Sequence, residues 1–252
     1  MSRLFAVSDI HGYLRPLQAA LRAAGLVDEA GDWVATETDF AVLGDVIDRG
    51  PDSRGVVEYL VKLRGQVAEA GGEMCMLLGN HEQMLIQGPH LPDTAGRVWW
   101  ENGGIACLQS YGIDPGDRYD PAHTHAILAV HQDYFMALES FAIADDTLLV
   151  HAGAPVNRKL AELGQTTDHL WIAPRHFVKA NPRYLKRQYG VERVVFGHSP
   201  LNPGGVTPFG GGRFLGIDSG SFLEGGAIAV VELLPKLAYR VAGLGPVADG
   251  AV

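Results

Sequence analysis

Residues 44–51, GDVIDRGP, set two carboxylates, Asp45 and Asp48, and a guanidinium, Arg49, directly after the apolar run 40–43. Such a run reads as a buried strand, and in α/β sheets ligands bind at the carboxyl ends of strands. The design recurs four more times. Asp9 and His11 follow the apolar run 3–7, Asn80 and His81 follow 74–78, His151 follows 147–150, and His198 follows 193–196. Taken singly, a strand-end Asp is most often a helix cap and a strand-end His a structural hydrogen-bond partner. Agreement at five strand ends is a pattern. The donors are oxygen and imidazole with no thiolate among them, which suits Mn²⁺, Fe or Zn²⁺ in a water-accessible site. Six candidate ligands are too many for one ion that keeps an open position, so two divalent ions are the economical reading. A carboxylate such as Asp45 can bridge metals about 3.5–4 Å apart, which clamps the attacking and leaving oxygens of a displacement at phosphorus.

These residues need a sheet to carry them. Strand 3–7 is followed by Pro16, Leu17, Ala20, Leu21 and Ala24 at helical spacing up to Gly25. Strand 40–43 is followed by an Asp52-Ser53 start and by Val56, Val57, Leu60, Val61 and Leu63, ending at Gly65. Strand 74–78 leads into a third, short helix, and three βα units in succession predict a parallel start to the sheet. Residues 89–146 change to helical patterning, with WWENGG inside 97–111 and Ile127, Leu128, Tyr134, Phe135 and Leu138 within 122–141. They predict a helical insertion. Strands resume at 147–150, 193–196 and 214–217, while 227–234 and 238–241 predict an antiparallel pair closing a second sheet. The Gly-rich run 203–212 reads as a flexible loop and 243–252 as a frayed tail, which leaves 1–242 as a single α/β domain.

A formal net charge of -9 over 252 residues argues against general binding to nucleic-acid backbones, which rests on clustered Lys and Arg. Anionic substrates stay open, because bound metal ions become the largest local charges. Cys75 and Cys107 lie in apolar runs and read as reduced, buried thiols. No early stretch has signal-peptide order and none is apolar for long enough to span a bilayer, so a cytoplasmic protein free of the membrane is expected. His123, His125 and His131 fall on a helical pattern without matching carboxylates. With His90, His169 and His176 they are expected to be structural or surface residues.

DxHG at 9–12, GDxxDRG at 44–50, GNHE at 79–82, HAG at 151–153 and GHSP at 197–200 together resemble the signature series of the phosphoprotein phosphatase branch of the calcineurin-like metallophosphoesterases. The likeness is closest to the bacterial and phage serine/threonine protein phosphatases and the symmetrical diadenosine tetraphosphatases, and NHEQMLIQG, WWENGG and IDSG at 217–220 share in it. It implies a four-layer α/β sandwich, two mixed β-sheets flanked by helices. It also implies that Asp9, His11 and Asp45 hold one metal and Asp45, Asn80, His151 and His198 the other, with Mn²⁺ expected. Arg49 would grip the phosphate and His81 would protonate the leaving alkoxide, with Asp48 orienting its ring. The nucleophile would be a metal-bridging hydroxide that attacks directly, without a phosphoenzyme. The implied function is hydrolysis of phosphate monoesters, with phosphoserine or phosphothreonine in proteins and peptides as leading substrate. A dinucleoside polyphosphate or other small organophosphate is the rival, and His81, Asp48 and Arg49 speak against a non-catalytic metal-binding module. Two departures bear on the substrate. Relatives place an Arg where this chain has Leu78, and another in a WxR pattern where it has Trp171-Ile172-Ala173. Arg175 is the expected substitute for one of them. Ser8 stands where the family usually has Gly, which is expected to be tolerated.

Overall fold

Strand β1 (Arg3–Val7) turns Phe5 and Val7 to one face and Ala6 to the other, and all three are buried. The sheet containing it must therefore be covered on both sides. A computed structural model, which describes residues 3–87, 95–116 and 120–247, shows what covers it. One sheet is built from β1, β2 (Thr38–Val42), β3 (Met74–Met76), β9 (Ala227–Leu233) and β10 (Tyr239–Pro246), in the order β10-β9-β1-β2-β3. The other is built from β4 (Phe141–Ala144), β5 (Thr147–Val150), β6 (Arg193–Phe196), β7 (Thr207–Phe209) and β8 (Phe214–Gly216), in the order β4-β5-β6-β8-β7. The first is parallel through β1-β2-β3 with antiparallel β9 and β10 on one side, and the second has a parallel centre β5-β6-β8 flanked by antiparallel β4 and β7.

Period-two alternation sorts the side chains into layers. Ala6, Ala41 and Ala229 of the first sheet meet Leu149, Val195 and Leu215 of the second between the sheets. Phe5, Val7, Phe40 and Val42 face outward onto Leu17 and Leu21 of α1 (Leu14–Ala23) and Val56 and Leu60 of α2 (Ser53–Glu69). Leu148, Val150, Val194 and Phe196 face the other way, onto Leu163 of α8 (Leu160–Leu163) and Leu185 and Tyr189 of α10 (Pro182–Tyr189). The result is the expected four-layer sandwich of two mixed sheets.

Several boundaries differ from the sequence reading. The pair β9-β10 completes the first sheet and not the second, because Leu4 and Ala6 of β1 pair with Leu233 and Val231. Strand β10 runs on to Pro246, past the boundary at 242. Part of the Gly-rich run forms β7, which pairs with β8. Helix α2 continues through Gly65 to Glu69, since Val67 keeps the buried face going, and it starts as expected with Asp52 capping the Gly55 amide. Within 89–146 the helices are α4 (Ala95–Trp99), α5 (Ile105–Ser110), α6 (Pro121–Val130) and α7 (Gln132–Met136), with a π-turn over Trp100–Gly104 between α4 and α5. Residues 141–144 are strand β4, paired with β5, so the helical part ends earlier than 146. Pro89 and His90 lie outside the described residues.

Candidate active site

The loops after β1 and β2 are locked together by backbone. The amides of Asp9, His11 and Gly12 donate to the carbonyls of Gly44, Asp45 and Val46 at 3.2, 3.0 and 2.8 Å. Gly44 has φ +85°, and a Cβ there would stand 2.6 Å from Gly79, so only glycine lets the ends of β2 and β3 close on each other. Asp9, His11, Asp45, Asp48, Arg49 and His198 all hold left-handed φ values, between +49° and +72°. Such values cost about 1–2 kcal/mol per non-glycine residue, and strain of this kind gathers where function demands it. Glu82, on α3 (Asn80–Gln87), braces the arrangement: its buried carboxylate accepts from the amides of Asp45, Val46, Ile47 and Gly79 at 2.9, 2.9, 3.3 and 3.0 Å. Burial pushes that carboxyl up to about 7, against the pull of these donors.

Two trios of ligand atoms meet here, each within 4.8 Å: His11, Asp45 and His81, and Asp45, His151 and His198. Asp45 belongs to both. The second trio matches the expected set, with Asn80 Oδ1 2.9 Å from His151 Nε2 and 2.9 Å from His198 Nδ1. In the first trio His81 stands beside His11 and Asp45, whereas Asp9 turns its Oδ2 to the Ser8 hydroxyl and to the His198 amide, at 2.8 Å from the latter. His151 donates Nδ1–H to Leu43 O at 2.7 Å and His11 donates Nδ1–H to Ile47 O at 3.0 Å, which leaves both Nε2 atoms as electron-pair donors. At His151 that lone pair converges with Asn80 Oδ1 and, at 3.4 Å, Asp45 Oδ1. Three acceptors aimed at one another with no proton to share fit a cation. The charges agree. Burial and the nearby Asp218 raise Asp9 well above the carboxylate range, and burial with Asp9 and Glu82 does the same to Asp45. Burial lowers His11 and His151 well below the imidazole range. A divalent cation favours the ionised acid and the neutral imidazole alike, so these residues fit the implied metals.

Within the first trio, His81 donates Nδ1–H to Asp48 Oδ2 at 2.7 Å, and its Nε2 accepts from Arg49 Nη2 at 3.1 Å. Asp48 is completely buried, and Arg49 and His198 are the half-buried members on the solvent side. Burial and the Arg49 charge hold His81 well below the imidazole range, in keeping with a ring whose Nε2 accepts from Arg49. The Arg49 guanidinium lies 3.8 Å from the centre of the Phe222 ring, which also meets His11 edge-on at 5.2 Å. Arg175 does not join the cluster. It sits exposed on the turn Pro174–His176, and the guanidinium felt at Asp9, Asp45, Asp48 and Asp218 is that of Arg49. Leu78 is half-buried with its amide on Glu139 O at 2.8 Å, and Ala173 is half-buried at the start of that turn. Sequence reasoning assigned no role to Glu82, Trp99, Asp218 or Phe222. Asp218 keeps Oδ2 buried without a hydrogen bond beside Asp9, and burial pushes it up to about 6. The acid inside GNHE and the repeated glycines of WWENGG were the available signals. Among the other histidines, His169 is buried and its carbonyl accepts from the amides of Ala152 and Gly153, a structural role.

The calcineurin-like phosphoesterase family matches residues 2–217. An uncharacterised protein of Schizosaccharomyces pombe is 38% identical over 251 residues, covering 86% of this chain and 72% of that protein. Shewanella-like protein phosphatase 2 of Arabidopsis thaliana is 38% identical over 86 residues, 34% of this chain and 22% of that protein, so this match spans under a quarter of the relative's length. The crystal structure of a cold-active protein-tyrosine phosphatase from a psychrophilic Shewanella species superposes with a TM-score of 0.68 at 17% identity, over 96% of this chain and 80% of that one, and shares its fold. The chain belongs to the calcineurin-like phosphoesterases, a family of metal-dependent phosphatases.

Proposed function

We propose that this protein hydrolyses phosphate monoesters, with phosphoserine or phosphothreonine in proteins and peptides as its leading substrates. The observation that carries the reading is the convergence of His11, Asp45, His81, His151 and His198 in two trios that share Asp45, with His81 also bonded to Asp48 and Arg49. The assigned ligands are Asp9, His11, Asp45, Asn80, His151 and His198. Two divalent cations held there, Mn²⁺ first among them, would neutralise phosphoryl charge and supply a nucleophile from water near neutrality. Arg49 grips the phosphate. Its guanidinium is already levelled on Phe222, and swinging from His81 Nε2 to an incoming phosphate frees that nitrogen to carry a proton. His81 then gives the proton to the leaving alkoxide while Asp48 fixes the ring through Nδ1. Burial of the pair keeps bulk water from competing for the proton. The unpaired thiols Cys75 and Cys107 support a reducing compartment such as the cytoplasm. Among the described residues no helix is long and apolar enough to cross a membrane.

One observation favours a second reading. With Leu78 and Ala173 in the clamp positions and Arg175 on the surface, Arg49 is the guanidinium that serves the site among the described residues, which suits a dinucleoside polyphosphate or another small organophosphate. The test is a side-by-side assay of Mn²⁺-loaded protein on phosphoserine and phosphotyrosine peptides, diadenosine tetraphosphate and p-nitrophenyl phosphate. Higher kcat/KM on the phosphoserine peptide than on the other natural substrates supports the first reading. Preference for diadenosine tetraphosphate overturns it, and no turnover of any of them ends the catalytic assignment.

A further inference from the structure

The WWENGG stretch of the insertion has no part in the mechanism above, yet it touches two of the residues that do. Helix α4 drives Trp99 into the core at 2% exposure, where its indole Nε1–H donates to Asp48 Oδ1 at 3.1 Å. The other oxygen of the same carboxylate accepts from His81 at 2.7 Å. Asp48 is therefore held at both oxygens by donors from different elements, and its carboxylate cannot turn without losing one of them. One turn further on, Gly103 at φ +107° presents its carbonyl to the Arg49 amide at 3.2 Å. A Cβ on Gly103 would stand 2.7 Å from Arg49 N and Cγ, and one on Gly104 would stand 2.7 Å from the Trp99 indole. Both glycines are thus required by the approach, and the π-turn over Trp100–Gly104 is what brings Trp99 and Gly103 onto neighbouring residues, Asp48 and Arg49.

The geometry points to this turn as the strut that positions the proton donor and the phosphate grip: Trp99 sets Asp48, and through it His81, while Gly103 sets Arg49. This rests on the phosphatase reading above. Trp99 acts through Asp48 and is a positioning residue. Trp99→Phe tests that role because it keeps a buried aromatic ring and removes the N–H together with the second ring; a packing defect acts on both substrates alike, whereas lost orientation of the proton donor acts on one. One anchor of Asp48 is then lost, and the His81 ring loses its orientation. By the usual worth of a hydrogen bond to a charged group, kcat/KM falls about 10- to 100-fold on a phosphoserine peptide, whose leaving group needs a proton. On p-nitrophenyl phosphate, whose leaving group departs as an anion, the loss stays under about 3-fold, within what a lesser perturbation gives. Gly103→Ala pushes on Arg49 instead, and raises KM about 10-fold on both substrates with a smaller change in kcat, the signature of a lost ground-state contact.

Wild-type protein is assayed first. If it hydrolyses neither ester, the functional reading fails, and the strut is decided by nuclear magnetic resonance alone: the Trp99 indole proton moves upfield in Asp48→Asn, and an unmoved resonance overturns the contact. The same measurement decides the matter if Trp99→Phe does not fold. If the wild type is active, equal losses on both esters in Trp99→Phe, or an unchanged KM in folded Gly103→Ala, overturn the strut and leave the phosphatase reading standing.

Discussion

Glu82→Gln is the substitution whose cost follows most directly from the geometry. The carboxylate takes four backbone amides, those of Asp45 and Gly79 on Oε2 and those of Val46 and Ile47 on Oε1. Glutamine keeps one oxygen and puts an NH₂ where the other was, so two amides face a donor. Each unsatisfied buried donor costs about 1–3 kcal/mol, which gives roughly 2–6 kcal/mol for the pair. In a chain of this size 1 kcal/mol lowers Tm by about 2–4 °C, so a drop of roughly 4–24 °C is expected by circular dichroism. Glu101→Gln is the control. Glu101 is exposed and pairs with Arg97 at i,i+4, a contact of about 0.3–0.5 kcal/mol, and should shift Tm by less than about 2 °C. If Glu82→Gln also moves Tm by less than about 2 °C, the two loops are not held by this carboxylate and the account of Glu82 as their brace is wrong.

Chelator-stripped protein should lose activity on p-nitrophenyl phosphate and regain it with Mn²⁺; full activity after verified metal removal would contradict the proposed chemistry. His81→Asn should lower kcat/KM by about 10²–10⁴-fold on phosphoserine and much less on p-nitrophenyl phosphate, and equal losses would assign His81 to positioning. Asp45→Asn should leave fewer than two tightly bound ions per chain by elemental analysis, because a neutral amide bridges two cations poorly; two retained ions would remove Asp45 from the shared position. Leu78→Arg should lower KM for monoesters by about 10-fold through one added charge-assisted hydrogen bond. A sharply lower Tm with no gain in kcat/KM would show that half-buried Leu78 serves packing instead.

The meeting of His11, Asp45, Asn80, His151 and His198 was legible because each motif is local: an apolar run, a turn and a polar pair within a dozen residues reveal what a strand end presents, although Asp9 stands apart from the trios and His81 joins one. The His81–Asp48 bond spans 33 positions yet followed from the resemblance. The Trp99–Asp48 bond spans 51 and was hidden, because a tryptophan in an apolar helix reads as core and nothing in its neighbourhood shows where the indole N–H goes. Phe222 was hidden because it lies in a turn after β8, where no local pattern shows what its ring meets. Arg175 was misplaced because spacing gives reach but not direction, and Pro174 at the first position of its turn leaves the arginine exposed. Strand β9 was recognised as a strand, whereas its partner β1 lies at the opposite end of the chain and no local pattern names it.

That last pairing carries a consequence for how the chain is made. Strand β1 leaves the ribosome ahead of its partners, finds β2 within about forty residues, and then waits with its other edge open until β9 arrives, since Leu4 pairs with Leu233. At roughly 5–20 residues per second the wait is on the order of 10–45 s. Throughout it, the row of unpaired amides and carbonyls on β1 lies beside apolar surface that only the second sheet will cover, and an open edge of that kind recruits other strands. The nascent protein is therefore most exposed to aggregation just before β9 is made, and truncations that remove β9 should accumulate as insoluble chains even though every candidate ligand lies upstream of residue 199.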